Sequence, residues 1–199
     1  VFDSQLDAHF VNLLESKFEN STFARVDADS IDNLIQKDDK QKPVLKEGQE
    51  KDLGYAFEAV LPEGAHYQVQ VDNLGATAAP IMITQSEFMR RYREMSALNG
   101  GLNFYGSMPE SYTITLNYEN PIMKGIIDSL EGETACKVAD IKGENDEEKT
   151  AQRKAIMEEF AKGNDLMKQT VDLALLSNNM LKGKELHDFI QRSLELLKK

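Results

Sequence analysis

The chain has 199 residues, of which 41% are hydrophobic and 29% charged, enough apolar material to bury a core without a disulfide or metal staple. Its 23 Lys and Arg against 34 Asp and Glu leave a net charge of −11, which argues against a general nucleic-acid binder and against a protein held on anionic lipid. The single cysteine, Cys136, excludes an internal disulfide, and no uncharged apolar run approaches the roughly 18 residues that cross a bilayer.

The chain opens on Val1-Phe2-Asp3-Ser4, with no initiator Met and no signal peptide, so a piece of a longer protein is expected. Residues 3–18 predict a helix, because Leu6, Phe10, Leu13, Leu14 and Phe18 recur at steps of three and four. After a break at 19–21, Phe23 to Val26 reads as a short strand, and Asp29 or Ser30 caps a short helix through Ile35. Residues 36–46 are charged and contain Pro43, the signature of a linker.

Residues 47–60 predict a helix on Leu53, Phe57 and Val60, stopped by Pro62 and Gly64. Tyr67, Val69 and Val71 alternate along a strand at 66–72. A turn of small residues leads to a second strand, Pro80 to Thr84, with Ile81 and Ile83 on one face and Met82 on the other. Thr84 and Glu87 have capping-box spacing and open a helix to Leu98, ended by Asn99-Gly100-Gly101. Tyr112 to Tyr118 is the clearest strand, β-branched and aromatic. Pro121 starts a short helix over 121–130, and residues 131–150, weakly patterned and acidic, read as a solvated loop or frayed helix ends. Three helices follow, at about 147–162, 164–180 and 184–198, with Gly163 and Gly183 as C-terminal caps. The fold class is α+β: a small mixed sheet of about three strands with flanking helices, then a C-terminal helix pair.

Motifs that carry chemistry are missing. His9, His66 and His187 are scattered, without partners at metal-ligand spacing. Asp27, Asp29 and Asp32 hint at a calcium loop but meet Ile31 at the fifth position and lack the glycine and the closing Glu. No phosphate-cradling glycine motif and no nucleophile elbow occur, and Cys136 beside Lys137 reads as an inert thiol. No enzyme, cofactor or metal site is expected in this chain.

Two features stand above that background. In 166–181 the apolar residues form two stripes, Leu166, Leu173, Leu176 and Met180 on one and Met167, Val171, Ala174 and Leu181 on the next. The following helix adds Leu186, Phe189, Ile190, Leu194 and Leu197. A hairpin apolar on two sides needs cover on both, and a second copy supplies it as a four-helix bundle in a homodimer. The expected interface is Leu166, Val171, Leu173, Leu176, Met180, Leu186, Phe189, Ile190, Leu194 and Leu197; the alternative is that the hairpin packs wholly on its own domain. In the second feature, helix 86–98, Phe88, Met89, Tyr92 and Met95 share one side and Arg90, Arg91 and Arg93 line much of the rest. It reads either as an adaptable surface for polypeptide, since Met side chains re-pack readily, or as an ordinary amphipathic helix.

Several segments together resemble the ninety-kilodalton heat-shock chaperone family, bacterial HtpG type. They are Phe23-Ala-Arg-Val-Asp27, Glu87-Phe-Met-Arg-Arg-Tyr-Arg-Glu-Met95, Tyr112-Thr-Ile-Thr-Leu-Asn117 through Pro121-Ile-Met-Lys-Gly-Ile-Ile127, and Val171-Asp-Leu-Ala-Leu-Leu-Ser177 followed by Phe189-Ile-Gln-Arg-Ser-Leu194. Two turns depart from the family's habit: Asn117-Tyr-Glu-Asn-Pro121 replaces N-P-x-H-P, and Asn178-Asn179 stand where Gly is common. The resemblance implies that 1–40 ends the family's middle domain and 41–199 is its dimerisation domain, with 147–198 helical and dimer-forming. It implies a cytoplasmic, ATP-driven chaperone whose ATP and Mg site lies upstream of this chain, leaving this piece without enzymatic activity. It further implies that non-native client proteins meet Phe88, Met89, Tyr92 and Met95. The competing reading is a homodimeric adaptor that binds one folded partner.

Overall fold

The computed structural model describes residues 7–18, 23, 45, 47–85, 111–143, 145–196 and 198. Within them lie six helices and three strands: α1 (Asp7–Lys17), α2 (Glu47–Glu58), β1 (His66–Asp72), β2 (Ile81–Thr84), β3 (Ser111–Asn117), α3 (Pro121–Ala139), α4 (Asp146–Gly163), α5 (Asp165–Ser177) and α6 (Gly183–Leu196). The architecture is α+β, as expected. The strand at 23–26, the helix capped at 29–30, the linker at 36–46 and the helix at 86–98 lie outside the described residues.

The sheet has the order β1-β3-β2. β1 runs parallel to β3, with Val69 opposite Ile114, and β2 runs antiparallel to it, with Ile83 opposite Ile114. Because side chains alternate along a strand, this register gathers Tyr67, Val69, Val71, Tyr112, Ile114, Leu116, Ile81 and Ile83 on one face. That face meets Leu53, Ala56 and Phe57 of α2, Met123, Ile126, Ile127 and Leu130 of α3, Met157 and Phe160 of α4, and Met167, Val171 and Leu175 of α5 in one core. Burial of each large member contributes roughly 1.5–3 kcal/mol. α2 is pinned to α4 by a two-pronged ion pair, Asp52 with Arg153, of which the Nη2–Oδ2 arm is 2.7 Å. Lys154 extends this seam, reaching Glu58 at 3.2 Å and lying 5.7 Å from the Tyr55 ring centre.

A buried asparagine organises the turn between β1 and β2. Asn117 is fully buried at the end of β3. Its Nδ2 donates to the carbonyls of Gly75 at 2.9 Å and Ala79 at 3.2 Å, while its Oδ1 accepts from the Leu74 amide at 3.1 Å. Three residues on, Asn120 Nδ2 donates to Ala78 O at 2.8 Å and its Oδ1 accepts from Ile122 N at 2.9 Å, capping α3 ahead of Pro121. A loop of small residues, with Gly75 at φ +86°, has few side chains to hold it, so two asparagines supply its partners instead.

Three expectations need correction. Residues 131–139 continue α3 rather than forming a loop. The buried stripe Met123, Ile126, Leu130 runs on to Thr134, whose hydroxyl donates to Leu130 O at 2.6 Å, and to half-buried Val138. Gly132 sits on the outer side with open space where a Cβ would stand, so its cost is only the roughly 1 kcal/mol of glycine propensity. Gly163 is not a cap but the last residue of α4; Asn164 follows and caps α5, its Oδ1 accepting from Met167 N at 3.0 Å. Gly183, at φ +58°, opens α6 instead of closing α5. α5 is closed by Asn179 at φ +61°, with Met180 N donating to Leu175 O at 2.9 Å and Asn179 N to Leu176 O at 3.0 Å. That pair of bonds is a Schellman motif, and asparagine is the residue after glycine that tolerates it.

Replacing Asn117 by Ala is expected to cost about 2–4 kcal/mol, because two carbonyls and one amide lose buried partners together. Asn120→Ser, which retains a capping oxygen, is expected to cost about 1 kcal/mol. Urea unfolding of both variants measures the difference, and equal losses would show that burial of Asn117 carries no extra weight.

Candidate functional site

The α5–α6 hairpin holds the one extended apolar surface formed by two packed helices among the described residues. α5 packs on β2 with one side and on α6 with another. Its inner stripe, Met167, Val171, Ala174 and Leu175, is buried in the core. Its outer stripe is open: Leu166 is 46% exposed, Leu173 52% and Leu176 37%. α6 buries no residue fully. Leu186 and Phe189 lean half-buried on the core, while Ile190 at 45%, Leu194 at 49% and Leu196 at 41% stay exposed. About half of the 1.5–3 kcal/mol that burial of each side chain offers is therefore still available to whatever covers this face.

Of the ten residues expected at an interface, five are thus exposed on the hairpin: Leu166, Leu173, Leu176, Ile190 and Leu194. Met180, Leu186 and Phe189 are half-buried, and Leu197 lies outside the described residues. Val171, at 2% exposure, is sealed inside the protomer's own core and offers no surface. Leu196 was absent from the expected set. Its signal in the sequence is weak, because it falls outside the spacing of Leu186, Phe189, Ile190, Leu194 and Leu197. Phe88, Met89, Tyr92 and Met95 lie outside the described residues.

Two polar contacts stitch the hairpin. Gln169 Nε2 donates to Ser193 Oγ at 2.6 Å, in the seam between the exposed stripes. On the other side of the seam, Arg192 pairs with Asp172. Asp172 is buried, and the loss of water around its carboxylate raises its pKa, outweighing the opposing pull of Arg192 and Lys168; Glu185 adds to the rise.

The remaining surface offers little chemistry. A cleft of about 180 Å³ lies between α3 and α4, lined by Glu133, Lys137, Ile156, Glu159 and Phe160 and spanned by a Lys137–Glu159 ion pair at 3.1 Å. It is smaller than the roughly 300–1,000 Å³ usual for small-molecule sites. No group of three or more His, Cys, Asp or Glu able to hold a metal occurs among the described residues. Cys136 is exposed on α3. Among the described residues no helix is long and apolar enough to cross a membrane.

The Asp172 environment fixes the sign of a pH effect. A carboxylate whose folded pKa is raised favours folding most while protonated and loses that contribution as pH rises through the raised value. Asp172→Asn removes this titration. The stability difference between variant and parent is expected to shift in the variant's favour as pH rises from below 3.8, the ordinary value, toward neutrality. Thermal unfolding across that range checks it, and a shift the other way would mean that the Arg192 charge outweighs desolvation.

No family model matches the chain. Curated relatives do. A chaperone protein htpG of Bacteroides fragilis is 36% identical over 99% of this chain. Chaperone proteins HtpG of Bacteroides thetaiotaomicron and Porphyromonas gingivalis are each 37% identical over 99% of it. The chain spans 34% of the length of these relatives, about a third. With similarity that runs from end to end, and with the strand, turn and hairpin segments that carry the resemblance, this chain belongs to the HtpG chaperone family.

Proposed function

We propose that this chain is the C-terminal homodimerisation and client-contact module of an ATP-dependent molecular chaperone that assists protein folding in the cytoplasm. The observation that carries the reading is the open, uncharged stripe of Leu166, Leu173 and Leu176 beside Ile190 and Leu194 on the hairpin. The relatives, named as chaperones, support the wider role. A second copy covers the stripe as a four-helix bundle, joining two parent molecules at one end. ATP and Mg bind the parent outside this chain, so this piece by itself turns over no nucleotide. Non-native clients are taken up by Phe88, Met89, Tyr92 and Met95, where flexible methionines suit varied sequences.

Deleting residues 164–199 is a poor test of the dimer, because it strips Met167, Val171 and Leu175 from the core. Leu173→Asp with Ile190→Asp instead charges only the exposed stripe. Sedimentation is expected to show the wild-type chain at twice the protomer mass and the double variant at the protomer mass, with circular dichroism unchanged. A wild-type chain that stays at protomer mass at all concentrations would overturn the dimer. For clients, Met89→Ser with Met95→Ser in the full-length parent is expected to weaken suppression of aggregation by severalfold while dimer mass and ATP turnover hold. Undiminished suppression would favour an adaptor for one folded partner.

A further inference from the structure

We propose that the outer edge of β1 is a polypeptide-binding site, where an extended segment of a non-native protein pairs as an added strand of the sheet. The inference rests on the chaperone reading above for its occupant, and it needs neither the dimer nor Phe88, Met89, Tyr92 and Met95.

The order β1-β3-β2 leaves β1 at one border of the sheet among the described residues. The direction of its main-chain groups follows from one bond. Tyr118 N donates to Asp72 O at 3.3 Å, so Asp72 turns its peptide groups toward β3. In a parallel pair alternate residues of one strand serve the neighbour, so Gln68 and Gln70 do the same, and Val69 and Val71 turn theirs outward. Among the described residues no hydrogen bond reaches the main chain of Val69 or Val71 from any other element. Each carries an amide and a carbonyl that need a partner, which only water or another chain supplies. Sheet borders are commonly guarded by shortness, proline, a bulge or charge. β2, at the opposite border, is four residues long and follows Pro80. β1 has none of these guards. It is seven residues long with none of them buried, and its pairing with β3 runs unbroken from His66 to Asp72. From His66 to Val71 it holds no Lys, Arg, Asp, Glu, Pro or Gly.

The occupant is read from the two faces that flank this edge. On the core face lie half-buried Val69 and Val71, with half-buried Val60 and Leu61 just past α2, which packs on β1. On the other face Gln68 is exposed, and Gln70 Nε2 donates to Thr115 Oγ1 at 2.9 Å. An added strand therefore meets an apolar margin on one face and an uncharged polar margin on the other, so the segment that fits is apolar at every second residue. Charge selects further. Glu63 stands exposed ahead of β1 and Asp72 closes it, which favours a segment with basic ends. A second copy fits less well: antiparallel pairing of β1 with itself about Val69 sets Asp72 of one copy at the Glu63 end of the other, like charge against like. Folded proteins guard their own edges, whereas non-native chains expose unpaired strands. An extended stretch of a non-native chain is thus the occupant.

The test uses the intact chain and a fluorescent peptide, Lys-Thr-Val-Thr-Val-Thr-Val-Lys, beside the same peptide N-methylated at each Thr and Val, which keeps the side chains and loses the main-chain donors. The first is expected to bind saturably by fluorescence anisotropy and to shift the amide resonances of Val69 and Val71. The N-methylated peptide is expected to bind about tenfold more weakly or worse. Val69→Pro removes an outward donor and leaves the ladder to β3 intact, so it is expected to weaken the first peptide severalfold while circular dichroism holds. Should Val69→Pro unfold, the comparison of the two peptides on the wild-type chain decides by itself. Equal binding of both peptides, binding of neither, or resonance shifts that bypass β1 would overturn the site. Each of those results leaves the chaperone reading standing, since that reading is tested through Met89 and Met95 in the full-length parent.

Discussion

α5 is apolar on two sides, and its own chain buries only one of the two stripes. Its inner stripe closes the core against β2, with Met167, Val171 and Leu175 all but removed from water. Its outer stripe, with that of α6, is left half in water. The same element therefore holds the domain together and carries its open apolar surface. The two stripes therefore differ in what they tolerate: a polar substitution on the inner stripe disrupts the core, while one on the outer stripe leaves the core packed.

The polar groups of the hairpin sit at different depths and do different work. Arg192 and Asp172 meet where burial already opposes the ionised carboxylate, so the pair adds orientation more than stability. Gln169 and Ser193 lie in the seam that opens onto the apolar stripes. The Asn117–Asn120 clamp at the other end of the core works on backbone alone. It supplies partners to a loop whose small residues cannot anchor themselves, and it joins that loop to the start of α3. In the segment that departs from the family's common turn, Asn120 stands where that turn has His, and its side chain both caps α3 and holds Ala78.

Much of the fold was legible in residue order. Alternation at Tyr67, Val69 and Val71 and at Ile81 and Ile83 gave two strands and the faces they bury, and the stripes of α2, α5 and α6 gave three helices within a few residues of their ends. The errors fell where one signal outweighed another. Gly132 and the acidic run after it suggested a loop, yet Thr134 and Val138 carry the α3 stripe onward, and a glycine on the solvent side does not break it. Gly163 and Gly183 suggested caps, yet asparagines took both capping roles, because Asn164 can accept from an amide and Asn179 can adopt positive φ.

The residue order alone determined that α5 carries two apolar stripes and that the chain belongs with chaperones, since periodicity and similarity are properties of sequence. Which stripe faces inward was not among them. Met167, Val171 and Leu175 are no more apolar than Leu166, Leu173 and Leu176, and only the position of β2 beneath one of them distinguishes core from surface. Burial is a relation between segments distant along the chain, so Val171 could be placed in the core, and Leu196 in the open, only once the tertiary structure had set α5 and α6 against the sheet.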